Sequence, residues 1–363
     1  MNTQTRKLKI AFIIVNLQGG GAEKAILNLA SALSSQNHEV HLLLLKGNHD
    51  YSLNVDYHVH VLAKDIQGGV IGNYLSAFML KQKYRKLSQN RVFDICISTL
   101  PFTDRVVSLA KIPNVWFRIA NTLSAEINKI SAANPKKAAR RLARYKRTYD
   151  GQNLIAVSNG VANDLKNNLD FNNANIKTIY NLYDFEKIRV MSSEYEPDIP
   201  TFPFVIYVGR FTPQKRFDLL FSAWKRAGLS HKLILLTKHS SPLEQMIEDK
   251  GVAASVVVAG FKTNPYPWIK RAEMLVLTSD HEGLPNVLVE SLICGTKIVS
   301  TDCPSGPSEI MSGDLNRYLV PMNDPDTLAN AMVDALQSPF LLPLGFTDKY
   351  SSKKTIAKYE SLS

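Results

Sequence analysis

Short apolar runs alternate with amphipathic stretches along this chain, a pattern that few folds accommodate. The runs at 9–15, 40–45, 57–62, 93–98, 114–119, 153–157 and 176–180 read as strands, and the stretches at 22–35, 71–88, 102–110, 123–149 and 159–168 as helices. A strand followed by a helix cannot close a hairpin. It returns by a crossover, which makes the sheet parallel and puts helices on both of its faces. The segment 184–203 interrupts the rhythm. Glu194-Tyr195-Glu196-Pro197-Asp198-Ile199-Pro200 is acidic, proline-containing and without apolar period, so it reads as a linker. The rhythm resumes with strands at 204–209, 232–237, 255–259, 273–277, 297–300 and 318–320. Helices are expected at 215–227, 242–250, 265–271, 286–294 and 324–337, and a last one within 348–361. The expectation is an α/β chain of two doubly wound, Rossmann-like domains, for which 363 residues are enough. Ligands of such folds bind outside the carboxyl ends of the strands.

Charge separates the two halves. Residues 1–190 hold 26 Lys and Arg against 13 Asp and Glu, and residues 191–363 hold 17 against 19, so the chain's net +11 lies wholly in the first half. One domain is therefore expected to face a polyanion or an anionic membrane. The densest cations are Lys136, Lys137, Arg140, Arg141, Arg144, Lys146 and Arg147. On a helix, 136, 140, 144 and 147 share one side, with Ala139, Leu142, Ala143 and Tyr145 elsewhere, the pattern of a basic amphipathic helix lying on a membrane surface. Lys81, Lys83, Arg85 and Lys86 form a second cluster. No window reaches the ~18 uninterrupted apolar residues of a spanning helix. The run Leu8 to Val15 leads into Gln18-Gly19-Gly20-Gly21, which is not a signal-peptide cleavage site. Cys96, Cys294 and Cys303 are odd in number and far apart, which fits neither a disulfide framework nor a zinc site and points to a reducing cytoplasm.

Three loops carry chemistry. Gln18-Gly19-Gly20-Gly21-Ala22-Glu23-Lys24 follows the first strand and opens a helix, where glycines permit close backbone approach and free amides can face an anion. It has neither the spaced glycines of a dinucleotide fingerprint nor the Lys-Ser/Thr of a phosphate-binding P-loop. Tyr207-Val208-Gly209-Arg210-Phe211-Thr212-Pro213-Gln214-Lys215 ends one strand and opens a helix, bringing two cations to a place suited to a diphosphate. In Ser279-Asp280-His281-Glu282-Gly283-Leu284-Pro285-Asn286-Val287-Leu288-Val289-Glu290-Ser291, a carboxylate precedes a turn that launches a helix. The amides of Gly283 and Leu284 would aim at phosphate oxygens, and Glu290 is an acceptor for paired hydroxyls such as a ribose diol. Asp324-Pro325-Asp326 precedes Thr327-Leu328-Ala329 and reads as a helix cap, not a metal site.

Together these loops resemble the retaining glycosyltransferases of family 4, which have the two-domain GT-B fold. So do Ala156-Val157-Ser158, Ile179-Tyr180-Asn181 and Thr301-Asp302-Cys303-Pro304-Ser305-Gly306-Pro307-Ser308-Glu309-Ile310. The likeness spans about residues 8–337, and the last run resembles bacterial members that build lipopolysaccharide, O-antigen, capsule or lipid-linked oligosaccharide. The resemblance implies two Rossmann-like domains facing each other across a cleft. Residues 1–190, completed by a C-terminal helix in 345–363, would bind acceptor, and 191–344 would bind the nucleotide-sugar donor. It implies that Arg210 and Lys215 hold the diphosphate and that Glu282 binds the donor sugar and steadies an oxocarbenium-like transition state. Gly283, Leu284 and Asn286 would bond phosphates and sugar, and Glu290 the ribose. Gly20, Gly21 and Glu23 would border donor and acceptor. Neither a cofactor nor a metal ion is expected, because two cations and a helix end neutralise the leaving group.

Many relatives carry a first-domain histidine beside the anomeric carbon. The matching segment here, Trp116-Phe117-Arg118-Ile119-Ala120-Asn121-Thr122, has none, which makes Arg118 and Asn121 the acceptor-side candidates. Of the histidines only His281, beside Glu282, is a candidate for chemistry. Two rival readings explain less. A nicotinamide-dependent oxidoreductase leaves Arg210, Lys215, Glu282 and Glu290 without a task. A non-catalytic membrane- or polyanion-binding partner subunit with a degenerate form of the same fold leaves that intact set unexplained, and the aromatic-interleaved basic strands of nucleic-acid binders are missing. The expected activity is transfer of a hexose or N-acetylhexosamine, from UDP, to a lipid-linked or lipopolysaccharide glycan. The enzyme would sit peripherally on the anionic cytoplasmic face of a bacterial inner membrane.

Overall fold

A computed structural model of the chain describes residues 6–17, 20–47, 56–65 and 69–363. Two compact units emerge, one of 1–182 with 350–363 and one of 183–349. The first contains β1 (Lys9–Ile14), α1 (Gly21–Ser35), β2 (Glu39–Lys46), β3 (His58–Ala63), α2 (Gly69–Leu87), β4 (Ile95–Thr99), α3 (Pro101–Ala110) and β5 (Val115–Ile119). It continues with α4 (Leu123–Ala133), α5 (Pro135–Tyr149), β6 (Asn153–Ala156), α6 (Asn159–Asn163) and β7 (Asn175–Thr178). The strands pair in parallel in the order β3-β2-β1-β4-β5-β6-β7. Strand order reverses at β1, which has β2 on one side and β4 on the other. Every residue of β1 is buried, as a strand covered on both faces requires. Ile10, Phe12 and Ile14 pack with Leu42, Leu44, Ile95 and Ile97.

The second unit contains α7 (Phe185–Met191), β8 (Phe204–Val208), α8 (Phe217–Ala227), β9 (Lys232–Leu236), α9 (Ser241–Asp249), β10 (Val256–Val258) and α10 (Tyr266–Arg271). Then come β11 (Met274–Leu277), α11 (Asn286–Cys294), β12 (Lys297–Thr301), α12 (Pro307–Ile310), β13 (Leu319–Val320), α13 (Pro325–Gln337) and α14 (Phe346–Lys349). Its sheet is parallel in the order β10-β9-β8-β11-β12-β13, reversing at β8. The chain then returns to the first unit as α15 (Ser352–Glu360), which packs on α1. There His38 accepts from the Leu8 amide through Nδ1 at 3.1 Å and meets Glu360 through Nε2 at 2.9 Å.

The strand-helix order matches the expectation, apart from two short unforeseen helices, α12 and α14, and two larger differences. The helix expected over 123–149 is two helices. Asn134 adopts φ −156° and ψ 91°, because a residue before proline is pushed out of the helical region, and its side chain caps α5 by accepting from the Lys137 amide at 2.9 Å. The expected linker 184–203 opens with α7, capped by Asp184 and packed on α10 and α11, so the domain change falls at 182/183 and not at 190/191. The acidic remainder is pinned within its own unit: Lys262 reaches Asp198 at 2.9 Å, Asn264 reaches Glu194 at 2.7 Å, and Arg271 donates to the Thr201 carbonyl at 2.7 Å.

Candidate active site

The loops that leave β8 and β11 stand side by side at the point where strand order reverses in the second unit, the place where open α/β sheets form a ligand crevice. They are stitched together. The Asp280 amide donates to the Gln214 carbonyl at 2.8 Å, and the Gln214 side-chain amide donates to the His281 carbonyl at 2.6 Å. The Lys215 carbonyl accepts from Thr278 at 2.8 Å and from the Tyr207 hydroxyl at 3.2 Å. These bonds bring Lys215 and Glu282 into contact: Nζ lies 2.5 Å from Oε1, and the Ser279 hydroxyl donates to the same oxygen at 2.6 Å. Both side chains are mostly sheltered, with 20% and 12% of their surface exposed. Such a pair cannot be halved cheaply, because the survivor is left as a sheltered charge.

Arg216, which the sequence reading passed over, anchors the first loop. Its backbone is left-handed, φ 49° and ψ 52°. Its guanidinium reaches Asp218 through Nε and Nη2, each at 2.9 Å, Asp280 at 2.8 Å and Asn323 at 2.5 Å. Burial opposes the charge on Asp218, yet the Arg216 contact holds that carboxyl below its usual range. Arg210, on the same loop as Lys215, is exposed and makes no hydrogen bond or ion pair with the described residues. The first loop thus offers one outward cation, Arg210, and two held by carboxylates, Lys215 and Arg216.

The Gly283-Leu284-Pro285 turn that follows Glu282 is buried, and Pro285 stands immediately before α11. The turn rests on the Thr301–Ile310 run. The Glu282 amide donates to the Pro304 carbonyl at 3.0 Å, and Thr301 donates to the Ser279 carbonyl at 3.0 Å. Gly306, at φ +100°, lies so close beneath the turn that a Cβ there would sit 2.5 Å from Pro285 Cδ. One helical turn separates Asn286 and Glu290, which therefore share a side of α11. Asn286 Oδ1 accepts from the Tyr183 hydroxyl at 2.7 Å, and buried Glu290 accepts from the Tyr266 hydroxyl at 3.1 Å. Burial and the neighbouring Glu290 carboxylate push the Tyr266 phenol up, so it stays a donor. Neither tyrosine was legible, since both come from helices or loops distant in sequence. His281 is buried in the stitched loop. Asp324 caps α13, accepting from the amides of Asp326 at 3.1 Å and Thr327 at 2.9 Å.

In the first unit the loop after β1 also stands where strand order reverses. Gln18 and Gly19 lie outside the described residues, as does His49. Gly20 precedes α1, Gly21 is its first residue, and the Glu23 side chain folds back on Gly20 so closely that a Cβ at Gly20 would lie 2.0 Å from Oε2. Arg118, an acceptor-side candidate, is a buried residue of β5. It is 2% exposed, donates to Asn181, and reaches Thr99 Oγ1 at 3.4 Å. A cation at a strand end needs partners inside the unit, and Asn181 of the Ile-Tyr-Asn motif supplies one. Asn121 is half-buried, and its side chain accepts from the neighbouring Thr122 amide at 2.9 Å. Ser158 caps α6 by accepting from the Val161 amide at 3.1 Å.

Near Arg118 lies a buried carboxyl that the sequence did not mark. Asp104 accepts from Ser98 at 2.5 Å and from Tyr149 at 2.8 Å. Burial pushes it from 3.8 up to about 7, against the pull of those donors and of Arg118. The folded unit therefore binds a proton that the unfolded chain has released. The resulting stability is complete below about pH 4 and is lost as pH rises through about 7. In thermal or urea unfolding the difference between the native chain and Asp104→Asn should shrink across that window, by on the order of 4 kcal/mol at most. A pH-independent difference would contradict this.

The basic helix is α5, with Lys136, Lys137, Arg140, Lys146 and Arg147 exposed. Arg141 is instead engaged, 2.8 Å from Glu126. The apolar side of α5, with Ala138, Tyr145 and Tyr149, packs inside the unit, so what faces outward is charge with little apolar surface. Among the described residues no helix is long and apolar enough to cross a membrane, and no group of three or more His, Cys, Asp or Glu is arranged to hold a metal ion.

Comparison with known proteins places both units. Residues 19–187 match the model of Glycosyltransferase Family 4, and residues 202–338 match that of Glycosyl transferases group 1. The chain is 27% identical to the N-acetylgalactosamine-N,N'-diacetylbacillosaminyl-diphospho-undecaprenol 4-alpha-N-acetylgalactosaminyltransferase of Campylobacter jejuni, over 91% of this chain and 90% of that one. It is 30% identical to the lipopolysaccharide 1,6-galactosyltransferase of Escherichia coli, over 47% and 48% of the two chains. Among solved structures, Staphylococcus aureus TarM in complex with fondaparinux, alpha-GlcNAc-glycerol and UDP superposes with a TM-score of 0.75 at 14% identity, over 98% of this chain and 99% of TarM. Anabaena HepE in complex with UDP and glucose gives 0.72 at 17% identity, over 98% of each chain. These likenesses give the fold, GT-B.

Proposed function

Because the chain belongs to the GT-B glycosyltransferases that join a family 4 region to a group 1 region, we propose that it moves a hexose or N-acetylhexosamine from a UDP-sugar to a lipid-linked or lipopolysaccharide glycan of a bacterial surface. The observation that carries the reading is the Lys215–Glu282 pair, held with Ser279 where the β8 and β11 loops are stitched together. The resemblance of the whole length to an undecaprenol-linked N-acetylgalactosaminyltransferase, and of part of it to a lipopolysaccharide galactosyltransferase, supports the acceptor class. UDP in two similar structures supports the nucleotide.

In this reading the second unit binds the donor. The diphosphate lies against Arg210 and Lys215, and Glu290 takes the ribose hydroxyls on the helix side that also carries Asn286. As the bond from the anomeric carbon to the phosphate oxygen stretches, negative charge gathers on the diphosphate, where the two cations and the start of α11 stabilise it. Glu282 holds the sugar hydroxyls and faces the developing positive charge. The acceptor hydroxyl bonds the anomeric carbon from the face the phosphate leaves, and its proton passes to the departing phosphate oxygen. Configuration is retained, and no metal is required. The first unit, with Gly20, Gly21 and Glu23 at its glycine loop, binds the acceptor. The enzyme works peripherally on the cytoplasmic face of the inner membrane.

A donor panel tests this. Purified protein with UDP-, GDP- and ADP-sugars should show the largest rise in melting temperature, and slow release of nucleoside diphosphate, with a UDP-sugar. The anomeric configuration of product is read by NMR. Absence of stabilisation and of hydrolysis with every nucleotide sugar would reject the reading.

A further inference from the structure

Helix α2 is built inside out. The side that packs into the first unit carries Gly72, Asn73, Ser76 and Ala77, with Leu80 and Tyr84 nearer the end. The side that faces away carries Val70, Ile71, Tyr74, Leu75 and Phe78, each 59–77% exposed, followed by Met79. A helix in water normally turns its large apolar side chains to the core. Five such side chains on one outer face form a contiguous apolar patch of the kind that marks an interaction site. The same helix has no acidic residue and ends in Lys81, Lys83, Arg85 and Lys86. Helix α2 packs on α3, and α3 touches α5, so the exposed cations of α5 lie on the same face of the sheet.

We infer that the outer face of α2 inserts into an anionic lipid bilayer, and that this face, not α5 alone, docks the chain on the membrane. Charge decides the occupant. A second copy seated on α2 would bring the cations of two helices together with no acid from either, whereas anionic headgroups meet them all. Apolar side chains flanked by cations also satisfy the two needs of an interfacial helix, buried area and attraction to anionic lipid. Helix α2 follows β3, so its apolar start lies at the carboxyl edge of the parallel sheet, the edge that also carries the Gly20 loop. If the acceptor is lipid-linked, as in the function proposed above, docking here brings that edge to the leaflet that holds it.

The test is flotation of the full chain with vesicles of phosphatidylglycerol and phosphatidylethanolamine, without donor or acceptor, so the result does not depend on sugar transfer. The combined variant Ile71→Ser, Tyr74→Ser, Leu75→Ser, Phe78→Ser changes only exposed positions and should keep its melting temperature and its response to UDP. Vesicle binding should fall at least about tenfold, and the loss should persist at high salt, where attraction between charges is screened. Binding equal to that of the native chain overturns the inference. So does a native dimer that the variant converts to monomer while vesicle binding is unchanged, which would assign the face to a second copy. Donor hydrolysis in vesicle-free solution should stay within about twofold, since none of the four side chains belongs to the proposed donor site.

Discussion

Replacing Lys215 with alanine is expected to lower sugar transfer about 10²- to 10³-fold, the range seen when one preorganised group is withdrawn from developing negative charge. The loss should appear in kcat more than in KM, because the charge on the diphosphate grows only as the bond to the sugar breaks. Glu282→Ala should cost a similar factor through the other end of the same contact. The two residues meet at 2.5 Å, so their effects should not add, and the double variant should be little slower than the worse single one. Each single variant also leaves a mostly sheltered charge behind. Lys215→Ala strands Glu282 beside Ser279, and melting should fall modestly, by about 1–3 kcal/mol, since a fifth of the lysine surface is open to solvent. Steady-state kinetics beside calorimetry separates the two effects. Normal transfer by Lys215→Ala, Glu282→Ala and Glu290→Ala alike would disprove the site.

The second large effect is expected at a residue that touches no substrate. Gly306→Ala places a methyl group 2.5 Å from Pro285 Cδ and 3.0 Å from Leu284 Cα, at φ +100°, where a side chain is strained in any case. The alanine can relieve the clash only by lifting the turn that leads from Glu282 into α11. Strain and overpacking together should cost about 2–4 kcal/mol. Transfer should fall with stability, because the displaced turn carries Gly283 and Leu284. Differential scanning calorimetry and donor hydrolysis on the one variant check both parts. Native melting and native hydrolysis together would show that the 303–307 run does not support the turn.

Much of this molecule is readable from local pattern. The inner strands of both sheets were foreseeable because a strand buried on both faces has to be largely apolar, whereas the edge strands β3, β7, β10 and β13 are partly exposed or very short and gave a weaker signal. The Asn134-Pro135 break carries its own signal, a cap residue before proline, inside a stretch that otherwise keeps a helical pattern. The α7 helix had a capping aspartate, but its setting in an acidic, proline-containing stretch argued for a linker. In the candidate site, Arg210, Lys215 and Glu282 were identified because they follow strand ends, and Glu290 because it lies one turn into the helix that the same loop launches, positions whose chemistry is local. Ser279, Arg216, Tyr183 and Tyr266 were not. Their importance lies in what they touch: Ser279 bonds Glu282, Arg216 spans Asp218, Asp280 and Asn323, and the two tyrosines come to α11 from elsewhere in the chain.

Local sequence thus settles the alternation of strands and helices, the parallel sheets that follow from it, and the loops that bear cations and carboxylates, because periodicity, turn residues and caps act over a few neighbours. Partnership needs the packed chain. Only the tertiary structure joins Lys215 to Glu282, withdraws Arg118 from the surface to Asn181, raises the Asp104 carboxyl by burial, and turns the large side chains of α2 outward. The physical reason is that a side chain's charge, exposure and hydrogen bonds depend on neighbours brought from distant positions, and the small residues of α2 face inward only because of what they pack against.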